Sequence, residues 1–177
     1  MIKSFLKSII FFIIFLYLFV AFLPKENLYY FGLEQLKKYS VVVKNETIKE
    51  GYFDFELNKA DIFFKGINAV HIEKIYLKSL LFDTTFLVEK IKVDEVFKRF
   101  VPAKIDKVLL KYSIFNPLFV NINLEAKGIR GYGFIDILNK KLIINLKPSK
   151  KFIRDYKMVL KKLKKQSNGE YKIEYQF

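Results

Sequence analysis

The first block of the chain is apolar almost without relief: Phe5 to Leu23, FLKSIIFFIIFLYLFVAFL, is interrupted only by Lys7 and Ser8. At about 1.5 Å per residue, a helix of this length covers the roughly 30 Å hydrocarbon layer of a membrane if Lys7 snorkels to the interface. Pro24 stops it, and Lys25 and Glu26 follow. A helix apolar on every side needs a large protein or a bilayer around it, and this chain is small. The segment also has the basic start and apolar middle of a secretory signal. Val20-Ala21-Phe22-Leu23, however, is too bulky for a small-residue cleavage site. The pattern therefore predicts an uncleaved anchor over residues 1–24. Lys3 and Lys7 precede the span with no acid, which favours a cytoplasmic N-terminus and residues 25–177 outside the cytoplasm. In a Gram-negative bacterium that is a single-pass inner-membrane protein with a periplasmic domain.

Residues 25–39 keep a helical period. Leu28, Phe31, Leu33 and Leu36 supply an apolar side, Glu26 sits in the first turn, and Lys37 and Lys38 close the last. Tyr29 and Tyr30 suit either an interfacial aromatic belt or packing on a domain. Beyond Tyr39 the period changes to two. Phe53, Phe55 and Leu57 alternate with Asp54 and Glu56, and Val108, Leu110, Tyr112 and Ile114 share one face. Val120, Ile122, Leu124 and Ala126 alternate with Asn121, Asn123 and Glu125, as Tyr171, Ile173, Tyr175 and Phe177 do with Lys172, Glu174 and Gln176. Such alternation marks strands with one apolar face. Turn signals part the runs at Glu50-Gly51, Lys65-Gly66, Asn116-Pro117, Gly128, Gly131, Gly133, Leu138 to Lys141 and Asn168-Gly169. Residues 94–100 read as a helical turn ended by Pro102. About eight or nine strands with short connections predict a mainly β domain over 40–177, an antiparallel sheet curled into a groove or half-pipe.

Helical period returns at 149–166, SKKFIRDYKMVLKKLKKQ, with Ser149 as N-cap. Phe152, Tyr156, Val159, Leu160 and Leu163 line one side. Lys150, Lys151, Arg154, Lys157, Lys161, Lys162, Lys164 and Lys165 crowd the rest, opposed only by Asp155. One basic amphipathic helix is expected, either packed on the sheet with a solvated outer face or contacting anionic lipid.

Charge adds little to this picture at the global level. Lys plus Arg exceed Asp plus Glu by 32 to 18, almost entirely through lysine, which compositional drift in an AT-rich genome produces equally well. The absence of cysteine removes disulfides, thiolate metal sites and cysteine nucleophiles. His71 is the only histidine and falls on an expected strand, and no HExxH, Walker loop or Gly-x-Ser-x-Gly is present. The glycines of GIRGYG (128–133) stand between two strands, where a bulge or tight turn is expected rather than a phosphate cradle. No catalytic residue, metal site or cofactor is expected. An anchor without a recognised nucleic-acid motif argues against nucleic acid as a partner.

The order of features resembles type II secretion system protein N and related short AsmA-like inner-membrane proteins of Gram-negative bacteria. The resemblance rests on the anchor, PKENLYYFGLEQL, the run GYFDFELNKADIFFKGINAVHIEKIYL, and NLEAKGIRGYGFIDI before a basic C-terminal stretch. It implies a bitopic protein with a periplasmic β domain, acting as a non-enzymatic accessory of a secretion system or envelope assembly. The alternative it implies is a lipid-binding or lipid-transfer module. On that alternative Phe53, Phe55, Leu57, Val108, Leu110, Tyr112, Val120, Ile122 and Leu124 would line an apolar groove for phospholipid, and the basic residues of 149–166 would meet anionic headgroups.

Overall fold

The computed structural model describes residues 2–98 and 101–177, with the side chains of Ile2 and Lys3 outside the described residues. Helix α1 (Ile2–Ala21) ends just before Pro24, and α2 (Lys25–Lys38) follows at once. Ser4–Ala21 is long and apolar enough to cross a membrane, and none of it is buried in the protein. The first residues after α2 reverse direction through Ser40, at φ 61°.

All the strands then join one antiparallel sheet. They are β1 (Val41–Lys44), β2 (Thr47–Glu50), β3 (Asp54–Phe64), β4 (Ile67–Ser79), β5 (Asp83–Val93), β6 (Lys104–Ser113), β7 (Phe119–Ala126), β8 (Ile129–Asp136), β9 (Lys141–Pro148), β10 (Lys164–Lys165) and β11 (Tyr171–Gln176). The order across the sheet is β1-β3-β4-β5-β6-β7-β8-β9-β11-β10, with β2 beside β1 on the same edge of β3. The sheet is curled and does not close on itself, so the mainly β, half-pipe expectation holds. The tightest hairpins are short because their turn residues supply what the geometry needs, whereas β5 and β6 are joined by the longer segment 94–103. Lys65 and Gly66, both at positive φ, make the two-residue β3–β4 turn, and Gly128, at φ 82°, makes the β7–β8 turn. The turn expected at 94–100 is described through Lys98, where Phe97 and Lys98 donate backbone N–H bonds to the Asp94 carbonyl; its last two residues lie outside the described residues.

Two expectations are corrected. Gly131 and Gly133 do not mark turns but sit inside β8, opposite Leu124 and Ile122 on one side and Leu146 and Ile144 on the other. At Gly131 the missing side chain leaves room for Leu124, Ile144 and Leu146 to close over the apolar face. The single helix expected over 149–166 is instead two short ones, α3 (Lys150–Asp155) and α4 (Lys157–Leu160), with Lys164 and Lys165 on β10. Ser149 does cap α3, its Oγ accepting from the Phe152 N–H. The break falls at Tyr156, at φ −115°. A continuous helix would set Lys150 against Arg154, Lys157 against Lys161 and Lys161 against Lys165 at like-charged four-residue spacings, which disfavours it.

One apolar face unites the sheet. At its far end α3 and α4 cover a core of Ala126, Ile129, Leu146, Phe152, Leu160 and Tyr171. At the near end α2 packs on β1 and β2. Between the two, register places Val108 opposite Leu124, Leu110 opposite Ile122, and Tyr112 opposite Val120. The opposite face carries a charged row across neighbouring strands, Lys74, Glu89, Lys107, Glu125 and Arg130, alternating in sign.

Candidate functional site

The N-terminal helix and the β domain meet at a polar joint. Lys25 is 9% exposed; its backbone N–H donates to Glu50 Oε1 at 2.8 Å, and its Nζ donates to the carbonyls of Ala21 and Leu23 at 3.4 and 3.2 Å. An ammonium held on the last carbonyls of α1 satisfies acceptors left free at the helix end and suits its negative pole. Two aromatic pairs fix the same joint from outside, Tyr17 on Phe53 at 4.5 Å and Phe22 on Tyr52 at 6.4 Å. The last turns of α1 therefore rest on the loop that opens β3.

Directly beside this joint lies a cavity of about 530 Å³, walled by α2, the end of α1 and the near end of the sheet. Val20 of α1, Leu23 just after it, Leu33 and Leu36 of α2, and Leu77 and Phe86 of the sheet are typical of its lining. Lys25, Ser79 and Thr84 are the main polar exceptions, and the last two hydrogen-bond each other at 3.0 Å. Tyr29 turns inward, its ring tilted against Phe55 at 5.5 Å while its hydroxyl donates to Glu46 Oε1 at 3.1 Å. Burial, with the Glu46 carboxylate beside it, raises its pKa above the ordinary 10.0, so the phenol stays neutral. Tyr30 faces outward and is exposed. The volume lies within the range of small-molecule sites, roughly 300–1,000 Å³.

The nine residues expected to line a groove divide between two places. Phe53, Phe55 and Leu57 line this cavity. Val108, Leu110, Tyr112, Val120, Ile122 and Leu124 share the apolar face further along the sheet, outside the cavity; Ile122 is buried and the others are half-buried. Sequence reasoning missed the helical half of the wall. Its signal was the apolar side of α2, already legible as Leu28, Leu33 and Leu36, without any indication of which strands it would face.

The eight basic residues expected to act together also divide. Lys150, Arg154, Lys157, Lys161 and Lys165 surround a second cavity of about 570 Å³ at the far end of the sheet, floored by Ile153, Leu160, Leu163 and Tyr171. Lys151, Lys162 and Lys164 are not among the residues that line it. Elsewhere His71 Nδ1 lies 2.7 Å from Asp61 Oδ1 across β3 and β4, and hydrogen bonds from Asn45 and His71 hold the Asp61 carboxyl below its usual range. Among the described residues, no group of three His, Asp or Glu side chains is placed to hold a metal ion. Comparison of the chain with protein-family models, curated proteins and solved structures finds no match.

Proposed function

We propose that this chain is a non-enzymatic, membrane-anchored module that holds the acyl part of a lipid between α2 and the curled sheet. The observation that carries the reading is the apolar cavity at the joint between anchor and domain. Val20 of α1 and Leu23 just after it are part of the cavity wall, so the cavity lies where a membrane-spanning α1 would leave the bilayer. An acyl chain entering it exchanges hydrocarbon for a protein wall of the same polarity and never meets water. Each methylene kept from water is worth about 0.8 kcal/mol. The curled, unclosed sheet on one N-terminal helix is in keeping with an AsmA-like lipid module. Lys3 before the span and Lys7 in its first turn support an N-terminus in the cytoplasm and a domain in the periplasm of a Gram-negative inner membrane.

The test is native mass spectrometry of the full chain purified in maltoside detergent, followed by lipid extraction. Wild type should retain phospholipid at fixed stoichiometry. Thr84→Trp, which fills the cavity from its wall, should cut retention about tenfold, a change of about 1.4 kcal/mol in binding. Lys111→Gln, exposed and outside the cavity, should change nothing. A clean apo mass for wild type, or equal lipid in Thr84→Trp, overturns the reading.

A second reading, an accessory scaffold of a secretion system or envelope assembly, is favoured by a different feature. Strand β10 pairs only with Lys172 and Tyr171, so the outer edge of Ile173–Gln176 has no strand beside it among the described residues. Such an edge accepts a strand from a partner. A photo-crosslinking side chain introduced at Gln176 in native membranes should then capture a discrete protein, and only lipid or nothing if the edge is idle.

A further inference from the structure

The cavity under α3 and α4 joins a basic rim to an apolar floor. Its rim has Lys150, Arg154, Lys157, Lys161 and Lys165, and no acidic side chain lines it. Asp155, the one acid in the segment, lies beside Arg154, with Oδ1 3.4 Å from Nε. Among the described residues, Lys150, Lys157, Lys161 and Lys165 have no carboxylate within 4.0 Å, whereas lysines of the outer sheet face do: Lys74 on Glu56, Lys90 and Lys92 on Glu73, Lys141 and Lys172 on Glu174. Four unneutralised ammonium groups round one concavity repel each other, and an anion seated between them relieves that repulsion through charge-assisted hydrogen bonds.

The floor narrows the class of anion. Leu160 and Tyr171 belong to the buried core at this end of the sheet, and Ile153 and Leu163 pack against it, so apolar surface lies directly beneath the charges. The break at Tyr156 and the return of the chain through β10 are what gather the rim. Lys165 comes from the strand, and the remaining four come from α3, α4 and the residue after it.

We infer that this cavity is a binding site for a phosphate group carried on an apolar body, the chemistry of an anionic phospholipid headgroup. It stands at the opposite end of the strand order from the anchor, across nine strand spacings or roughly 43 Å of sheet, and does not depend on the cavity beneath α2. The phosphate sits among Lys157, Lys161 and Lys165, and the glycerol and first methylenes lie on Leu160 and Leu163.

Isothermal titration of the full chain in maltoside micelles tests this with three probes: inorganic phosphate, dihexanoyl phosphatidic acid and dihexanoyl phosphatidylcholine. Saturable binding of the phosphatidic acid is expected, tighter than inorganic phosphate. The double variant Lys157→Gln/Lys161→Gln should weaken it about tenfold. The triple variant Lys151→Gln/Lys162→Gln/Lys164→Gln removes more charge from outside the cavity and should weaken it less than about twofold. Leu163→Ala should weaken the lipid and leave inorganic phosphate unchanged. If inorganic phosphate and the lipid bind equally, still with the double variant impaired, the site takes free phosphate and the apolar body is dropped from the inference. Equal losses in the double and triple variants, equal affinity for phosphatidylcholine, or no saturable binding of either phosphate probe overturns it.

Discussion

Gly133 shows how far one residue can move a reading. From sequence, GIRGYG has the look of a turn, because glycines between two alternating runs usually supply one. Only Gly128 does so. At Gly133 a Cβ would collide with the Ile143 carbonyl and come within 2.8 Å of the Ile144 Cα, both backbone and unable to yield. At Gly131 the nearest atom is the end of the flexible Leu146 side chain, 2.9 Å away. Gly133→Val should therefore cost about 3 kcal/mol of stability and Gly131→Ala about 1, measured by thermal unfolding of the full chain in detergent. Equal losses would mean that backbone crowding is not what glycine relieves at 133. The apolar residues were easier to read than the glycines. Phe55, Leu57, Val108, Leu110, Ile122 and Leu124 all fall on one face because strict alternation leaves a strand no other choice.

Among the elements, β3, β4 and β5 were legible as strands but not as creased ones. Leu57 and Ala60 are both buried, three residues apart, and so are Val88 and Val93, five apart. In each pair the alternation changes phase, across Lys59 at φ 58° and Lys90 at φ 55°. Glu73 lies between them on β4 and accepts from Lys90 and Lys92 at 3.0 and 2.9 Å, clamping the line. Nothing in a lysine's identity signals a left-handed backbone, so sequence could not reveal it. Lys59 has no carboxylate partner among the described residues, so Lys59→Gly should stabilise the domain by about 0.5–1 kcal/mol and Lys59→Val should destabilise it by about 1–2. Unfolding midpoints of the two variants check this, and a fall for Lys59→Gly would refute a strained backbone there. The C-terminal segment was misread for the converse reason. Its apolar residues have helical spacing, but the charge repulsion along a continuous helix, and the route of the chain to β10, are not in that period.

For the whole molecule, charge sets an acid limit on stability. The carboxyls of Glu73, between Lys92 and Lys90, and of Glu174, between Lys141 and Lys172, are each lowered from 4.5 to about 2 by the hydrogen bonds they accept. A carboxyl depressed in the folded state adds stability that is complete above its unfolded value and disappears as pH falls through the folded one. The thermal midpoint should thus be insensitive to these groups above about pH 5 and decline between about 4.5 and 2, and Glu73→Gln/Glu174→Gln should flatten part of that decline. A decline of full size in the double variant would remove both from the account. At this scale the sequence foretold an antiparallel sheet from its short connections, and a helix long and apolar enough to cross a membrane from its first block. It could not foretell that one helix would enclose the near end and a broken one the far end, since both depend on where the curl brings the strands. The strand order has a kinetic consequence. From β3 to β9 each strand pairs with its neighbour in the chain, so every pairing closes only a short loop. Sheets usually fold slowly because distant segments must find one another. This one can zip hairpin by hairpin from β3 to β9, and only at its two ends, where β1 pairs with β3 past β2 and β11 docks on β9 ahead of β10, does a strand wait for a segment further along the chain.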